Sequence, residues 1–260
     1  MTQLKSLKAT SFAALRSGRR LGLTWTELAV CLAILFVLVA LIFPVTRGGW
    51  RGGARETARR MQCSNNLKQI GLALHNYEQK YKMLPPAYTV DADGNRLHGW
   101  RTLILPYLEE AALYEKVDFS KAWDDPANEA VRSKQVPAYQ CPSNQSSAGD
   151  TTYLAIVGDR NILRPQQGRA FTEVVDGLRN TVMVVEADAL QAVHWMSPQD
   201  ASEDTFISSD SKSKTSHANG RNACMADGSV QFLSNSTARD TLQSLATVDG
   251  NEQPSPRMRK

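Results

Sequence analysis

The chain is poor in the residues that carry covalent and metal chemistry. Among 260 residues there are four cysteines and four histidines. None of them stand at the Cys–His spacing of a zinc motif. No Gly-x-Ser-x-Gly elbow marks a hydrolase nucleophile. Acid is missing from the first 26 residues, whereas Lys5, Lys8, Arg16, Arg19 and Arg20 lie there. These five positive charges exceed the net charge of +4, so the remaining chain carries about −1. The basic pI therefore belongs to a short leader, and nothing argues for a nucleic-acid partner.

What is present is an apolar run. Leu28 to Phe43 holds no charge, and Glu27 stands at its mouth. Leu23 to Val45 spans 23 residues, about 34 Å as a helix, which is enough to cross a bilayer. A carboxylate at mid-bilayer costs about 2.5–3.5 kcal/mol, and less near the interface, so Glu27 calls for a compensating partner. A secretory signal peptide would need a small-x-small cut after the run, and none precedes the Arg-rich stretch. A lipoprotein reading fails because Cys31 opens the apolar run instead of following it. A plain single-pass anchor is the simpler alternative. Arg47, Arg51, Arg55, Arg59 and Arg60 follow the run, so charge alone does not orient it.

Gly22, Leu23, Thr24, Thr26, Glu27, the apolar run and Pro44 together resemble the type IV prepilins and pseudopilins. Leu23 stands where phenylalanine is commoner. The resemblance implies cleavage after Gly22 by a prepilin peptidase and N-methylation of Leu23. It also implies an assembly role for Glu27 against the N-terminal amine of a neighbouring pilin-like subunit. The leader then lies in the cytoplasm and the bulk of the chain outside the cytoplasmic membrane.

Beyond the run, Gly48, Gly49, Gly52 and Gly53 predict a softened or kinked neck between Pro44 and Gly53. Leu67, Ile70, Leu74, Tyr77, Tyr81 and Leu84 then recur every three or four residues, one face of a spine helix that Pro85-Pro86 stops. Asp91 to Asn95 predicts a hairpin turn within residues 87–100. It lacks a calcium loop's twelfth-position Glu, because Thr102 falls there. A helix interrupted early by Pro106 is expected over Thr102–Val117, and strands over Thr152–Val157 and Thr181–Glu186. As paired carboxylates Glu186 and Asp188 could be catalytic or bind metal, although a solvated strand end explains them better. Asp227-Gly228 predicts a two-residue type I′ turn pairing Met225 with Val230 and Ala223 with Phe232, these four facing the core.

A second resemblance is narrower. Met61 to Pro86, His98-Gly-Trp100, Leu105 to Glu109, Trp123 and Tyr139-Gln-Cys141-Pro-Ser143 are similar to a bacterial prepilin-like family of unknown function. That family ends in a processing-associated motif: His, nine residues, Asp-Gly. Here it is His217, Asp227 and Gly228. Three outer cysteines allow three single disulfide pairings. Pairing of Cys63 with Cys141 follows from the resemblance, since both sit in its motifs while Cys224 lies on a strand face.

The expected architecture is α+β, a pilin-like long N-terminal helix followed by a domain with an antiparallel sheet. Its parts are a leader (1–22), a transmembrane helix (23–45), a neck and spine helix (46–86), an extracytoplasmic domain (87–248) and a disordered tail (249–260). The expected function is non-enzymatic: a structural subunit or surface protein of a type II secretion or type IV pilus-like system. No metal or cofactor site is assigned. Calcium is the sole ion considered, at Asp200, Glu203, Asp204 and Asp210 of an acidic surface loop. Two alternatives stand beside this: an anchored binding module with its ligand near Ser197–His217, and an extracytoplasmic hydrolase using His217 and Asp227.

Overall fold

A computed structural model describes residues 24–46, 49–143, 147, 149–208 and 216–250, with the side chains of 41–52 excepted. Gly22, Leu23, the middle of the neck, Asp210 and residues 251–260 lie outside the described residues. The chain divides into two compact units, one ending at Gly52 and the other beginning at Gly53.

The first unit carries helix α1, Trp25–Thr46. Thr24 and Glu27 start it with a reciprocal cap. The Thr24 N–H donates to Glu27 Oε2 at 3.0 Å, and the Glu27 N–H donates to Thr24 Oγ1 at 3.3 Å. This is a capping box, which satisfies two otherwise orphaned donors of the first turn. The apolar side chains that follow are exposed all round, with Val30, Leu32, Phe36 and Val39 among them. Among the described residues no helix is long and apolar enough to cross a membrane.

Helix α2, Gly49–Tyr81, enters the second unit and forms its spine. Leu67, Ile70 and Leu74 are wholly buried, as the periodicity predicts, and so is Leu84 just beyond the helix. Tyr81 differs: it is exposed, because the helix ends there and Lys82 turns left-handed at φ 62°. The hairpin of β1 (Tyr88–Val90) and β2 (Arg96–Gly99) closes on Asp91, whose carboxylate accepts the Asp93 and Asn95 N–H groups.

The helix expected over Thr102–Val117 is broken. Only α3 (Trp100–Leu103), a 3₁₀ turn at Leu105–Tyr107 and α4 (Ala111–Tyr114) form. Pro106 removes a donor, and Glu109 takes φ 64°, so no continuous ladder can run through. Next come α5 (Glu129–Arg132), β3 (Asp150–Thr151), β4 (Tyr153–Ala155), β5 (Val182–Glu186) and β6 (Val193–His194). The chain then runs through α6 (Glu203–Ile207), β7 (Gly220–Met225), β8 (Val230–Ser234) and α7 (Arg239–Ala246).

The main sheet is antiparallel, ordered β4-β5-β7-β8, and the pair β3-β6 stands apart. The mixed α+β class with an antiparallel sheet is therefore as expected. Apolar residues fill both faces. Cys63, Leu67, Ile70 and Leu74 of α2 share one core with Tyr153, Ala155, Val184 and Cys224. Val185, Ala223, Met225 and Leu233 share a second core with Phe206 and with Leu242 and Leu245 of α7. Gly71 lets the spine come close: a Cβ there would lie 2.7 Å from Cys224 Sγ.

The β7–β8 turn corrects the predicted register. Cys224 pairs with Val230, and Ala223 with Gln231. The Met225 N–H bonds to the Ser229 carbonyl at 2.8 Å, leaving three residues in the loop, and Gly228 alone among them has positive φ, at 81°. This is a three-residue hairpin with left-handed Gly, not a type I′ turn. The single added residue moves Val230 and Phe232 to the α2 side of the sheet.

Candidate functional site

Four side chains from four distant segments meet under the spine helix. Cys63 of α2, Cys141, Glu186 at the end of β5 and His217 before β7 bring one ligand atom each within 4.8 Å of one another, and all four are buried. Alternation along β5 turns Val184 and Glu186 to the same face, toward α2. A carboxylate there replaces what would otherwise be an apolar core residue, so it needs partners.

Those partners are specific. Glu186 Oε2 accepts both the backbone N–H and the side-chain amide of Asn222, each at 2.9 Å. Oε1 faces His217 Nε2 at 3.3 Å and Cys141 Sγ at 3.3 Å. The other imidazole nitrogen, Nδ1, donates to Glu56 Oε1 at 2.8 Å, with Ser143 Oγ 3.3 Å away. Glu56 and Cys63 lie seven residues apart on α2, two turns along one face. Asn66, on the next turn, donates to the Gln140 carbonyl at 2.6 Å and so holds the segment bearing Cys141 against the helix.

Burial alone would lower the His217 pKa. Its hydrogen bonds to Cys63, Glu186 and Glu56, together with the Glu186 charge, outweigh burial and hold it at about 10. Burial likewise raises Glu186, yet His217, the Asn222 N–H and Cys63 keep the carboxyl below its usual value. The Cys63 thiol is lowered to about 7, chiefly by its hydrogen bond with Cys141, against burial. The same contact pushes Cys141 up.

The structure sets the two sulfurs expected to pair 2.7 Å apart, as free thiols. It separates His217 from Asp227. They flank opposite ends of β7, and Asp227 Oδ1 accepts the Ser229 N–H at the turn. The nine residues of the motif measure out one strand, with a site residue before it and a hairpin turn after it. Strand β7 thus stands between His217 and Asp227. Glu186, read as a strand end open to solvent, is fully buried, whereas Asp188 caps the turn at Ala189–Gln191. The sequence reading assigned no metal ligands, yet the fold gathers four candidates. Glu56 was missed altogether. A charged residue closing an apolar strand, Val182 to Glu186, is the local signal that pointed to Glu186.

Of the possible calcium ligands, Asp200 is committed elsewhere and Asp210 lies outside the described residues. Asp200 is buried and spent on protein donors: Arg101 Nη1 at 2.6 Å, Trp100 Nε1 at 3.1 Å and the Ala155 N–H at 2.9 Å. Glu203 and Asp204 open helix α6, where Ser202 caps the first turn. The described part of the acidic stretch is thus a packed segment, with Phe206 and Ile207 buried.

A family model described as a protein of unknown function (DUF1559) matches residues 53–160. The chain is similar to that family over the spine helix, the hairpin and the segment carrying Cys141. The matched region includes Cys63 and Cys141 but stops short of Glu186 and His217. No curated protein and no solved structure matches.

Proposed function

We propose that the chain is a prepilin-like protein held in the cytoplasmic membrane by α1, with its second unit outside, serving as a structural or surface subunit of a secretion or pilus-type system. The observation that carries this reading is the bare apolar helix. From Leu28 to Thr46 there is no charge, and the described side chains are exposed on every side. Such a surface is unfavourable in water at about 25 cal/mol per Å², so a lipid phase or neighbouring helices should cover it. Helix α1 runs 22 residues, about 33 Å; its side chains are described only to Ala40, a stretch shorter than a membrane span. Similarity to a family of unknown function, and the residues Gly22, Leu23 and Glu27 ahead of the helix, agree with this reading.

The test is the mature N-terminus. Intact-mass analysis of the membrane-extracted protein should find Leu23 as the first residue, methylated. A mature chain beginning at Met1 would sink the prepilin reading, and recovery free of membrane would sink the anchor as well.

A further inference from the structure

We propose that Cys63, Cys141, Glu186 and His217 bind one zinc ion, which staples the spine helix to the sheet. Zinc takes Cys, His and Asp/Glu side chains, and two thiols, an imidazole and a carboxylate supply the four ligands of a tetrahedral site. Soft sulfur donors disfavour calcium and magnesium. Tetrahedral zinc with bonds of about 2.0–2.3 Å has ligand–ligand edges of roughly 3.3–3.8 Å. The 3.3 Å separations of His217 Nε2 and Cys141 Sγ from Glu186 Oε1 already lie in that range. The sulfurs, at 2.7 Å, must part by about 1 Å to seat the ion.

The surroundings argue for a metal more strongly than the ligands alone. A ligating histidine usually donates its second N–H to a carboxylate, which fixes the ring and raises its basicity. Glu56 stands in that place on Nδ1. Glu186 is oriented in the same way: Asn222 donates twice to Oε2, Oε1 faces Cys141 Sγ, and both oxygens lie 3.3 Å from His217 Nε2. A disulfide between Cys63 and Cys141 would use neither arrangement. It would leave the Glu186–His217 ion pair beside the sulfurs without bonding to them. Zinc accounts for all four ligands and both supporting groups. With no open position left, its role is structural.

The experiment uses the full chain, extracted in detergent without chelator or reductant. Metal analysis should return about one zinc per chain. Cobalt exchanged into the site should give the intense visible absorption of a tetrahedral thiolate-ligated ion. Cys141→Ser and His217→Ala should abolish stoichiometric binding. Because such variants could unfold, Glu56→Ala is the decisive one. Its side chain is 37% exposed, so the core is spared, and zinc affinity should fall 10- to 100-fold with unchanged circular dichroism. Recovery of a Cys63–Cys141 disulfide with no metal would overturn the proposal. So would a weakly absorbing octahedral cobalt spectrum, or zinc affinity unchanged in Glu56→Ala.

Discussion

Arg101 lies wholly inside the second unit, and each of its donors is used. It bonds to the carbonyls of Trp195, Tyr153, Ser197 and Gln199 and to Asp200 Oδ1. Among the described residues, Asp200 is the charge paired with it. Burial pushes the Asp200 carboxyl up, against the opposing pull of Arg101, Trp100 and the Ala155 N–H. Removing one partner of such a pair strands the other. Asp200→Ala should therefore cost about 3–5 kcal/mol in denaturant unfolding. A calcium-selective chelator should leave the melting temperature of the wild-type chain unchanged. A calcium-dependent shift would restore the loop reading that Asp200 now contradicts. His98 gives a second residue-scale prediction. Its Nε2–H donates to the Asp118 carbonyl at 3.3 Å, and among the described residues Nδ1 has no partner. Burial is the main cause that lowers its pKa below 6.5, against the pull of Asp118 and Lys121. A depressed histidine binds its proton more readily when unfolded. Its contribution is present above about pH 6.5 and is lost as pH falls toward the folded value. Between pH 7 and 5, His98→Gln should lose less stability than wild type; parallel profiles would refute this assignment.

At the scale of elements, the β7–β8 hairpin shows how a strong local signal yields a partly wrong structure. Asp227-Gly228 announces a turn, and a turn is there. Its length was decided instead by the core. Cys224 must face α2 beside Gly71, and Asn222 must reach Glu186, which fixes β7 before the loop closes. Gly228 then absorbs the left-handed position at φ 81°. Gly228→Ala should cost about 1–2 kcal/mol, seen as a lower urea midpoint with unchanged slope, and Gly228→Asn should cost less. Equal midpoints for all three chains would mean the loop relaxes to another turn. The same contrast holds elsewhere. The spine helix was legible because burial on one stripe imposes a period. The stretch after Trp100 was not, since Glu109's left-handed break follows from tertiary packing. Helices α6 and α7 went unread, the first hidden in an acidic serine-rich segment and the second short. The site was legible only one residue at a time. His217, Cys63 and Cys141 stood out singly, but no spacing joins residues 56, 63, 141, 186 and 217 without the sheet that assembles them.

Across the whole molecule, the two units meet opposite physical demands. The second buries its apolar side chains on both faces of one sheet. The first exposes the described apolar side chains of α1, and under the proposed reading their stability depends on a lipid phase or neighbouring helices. Glu27 stands where that dependence begins, and it has two distinct explanations. In the single chain it completes the capping box with Thr24. In a prepilin-like assembly its charge would meet a neighbour's freed amine, an attraction that strengthens as the dielectric falls. Glu27→Gln separates the two, because a glutamine side chain can still accept the Thr24 N–H in a capping box but carries no charge. Thr24→Ala does the reverse: it removes the cap hydroxyl, at about 1 kcal/mol, and keeps the carboxylate. If the charge drives assembly, Glu27→Gln should be cleaved normally after Gly22 yet fail to cross-link to neighbouring subunits in the membrane. Thr24→Ala should still cross-link. The opposite pattern, cross-linking kept in Glu27→Gln and lost in Thr24→Ala, would reduce Glu27 to a helix cap and leave α1 a plain anchor.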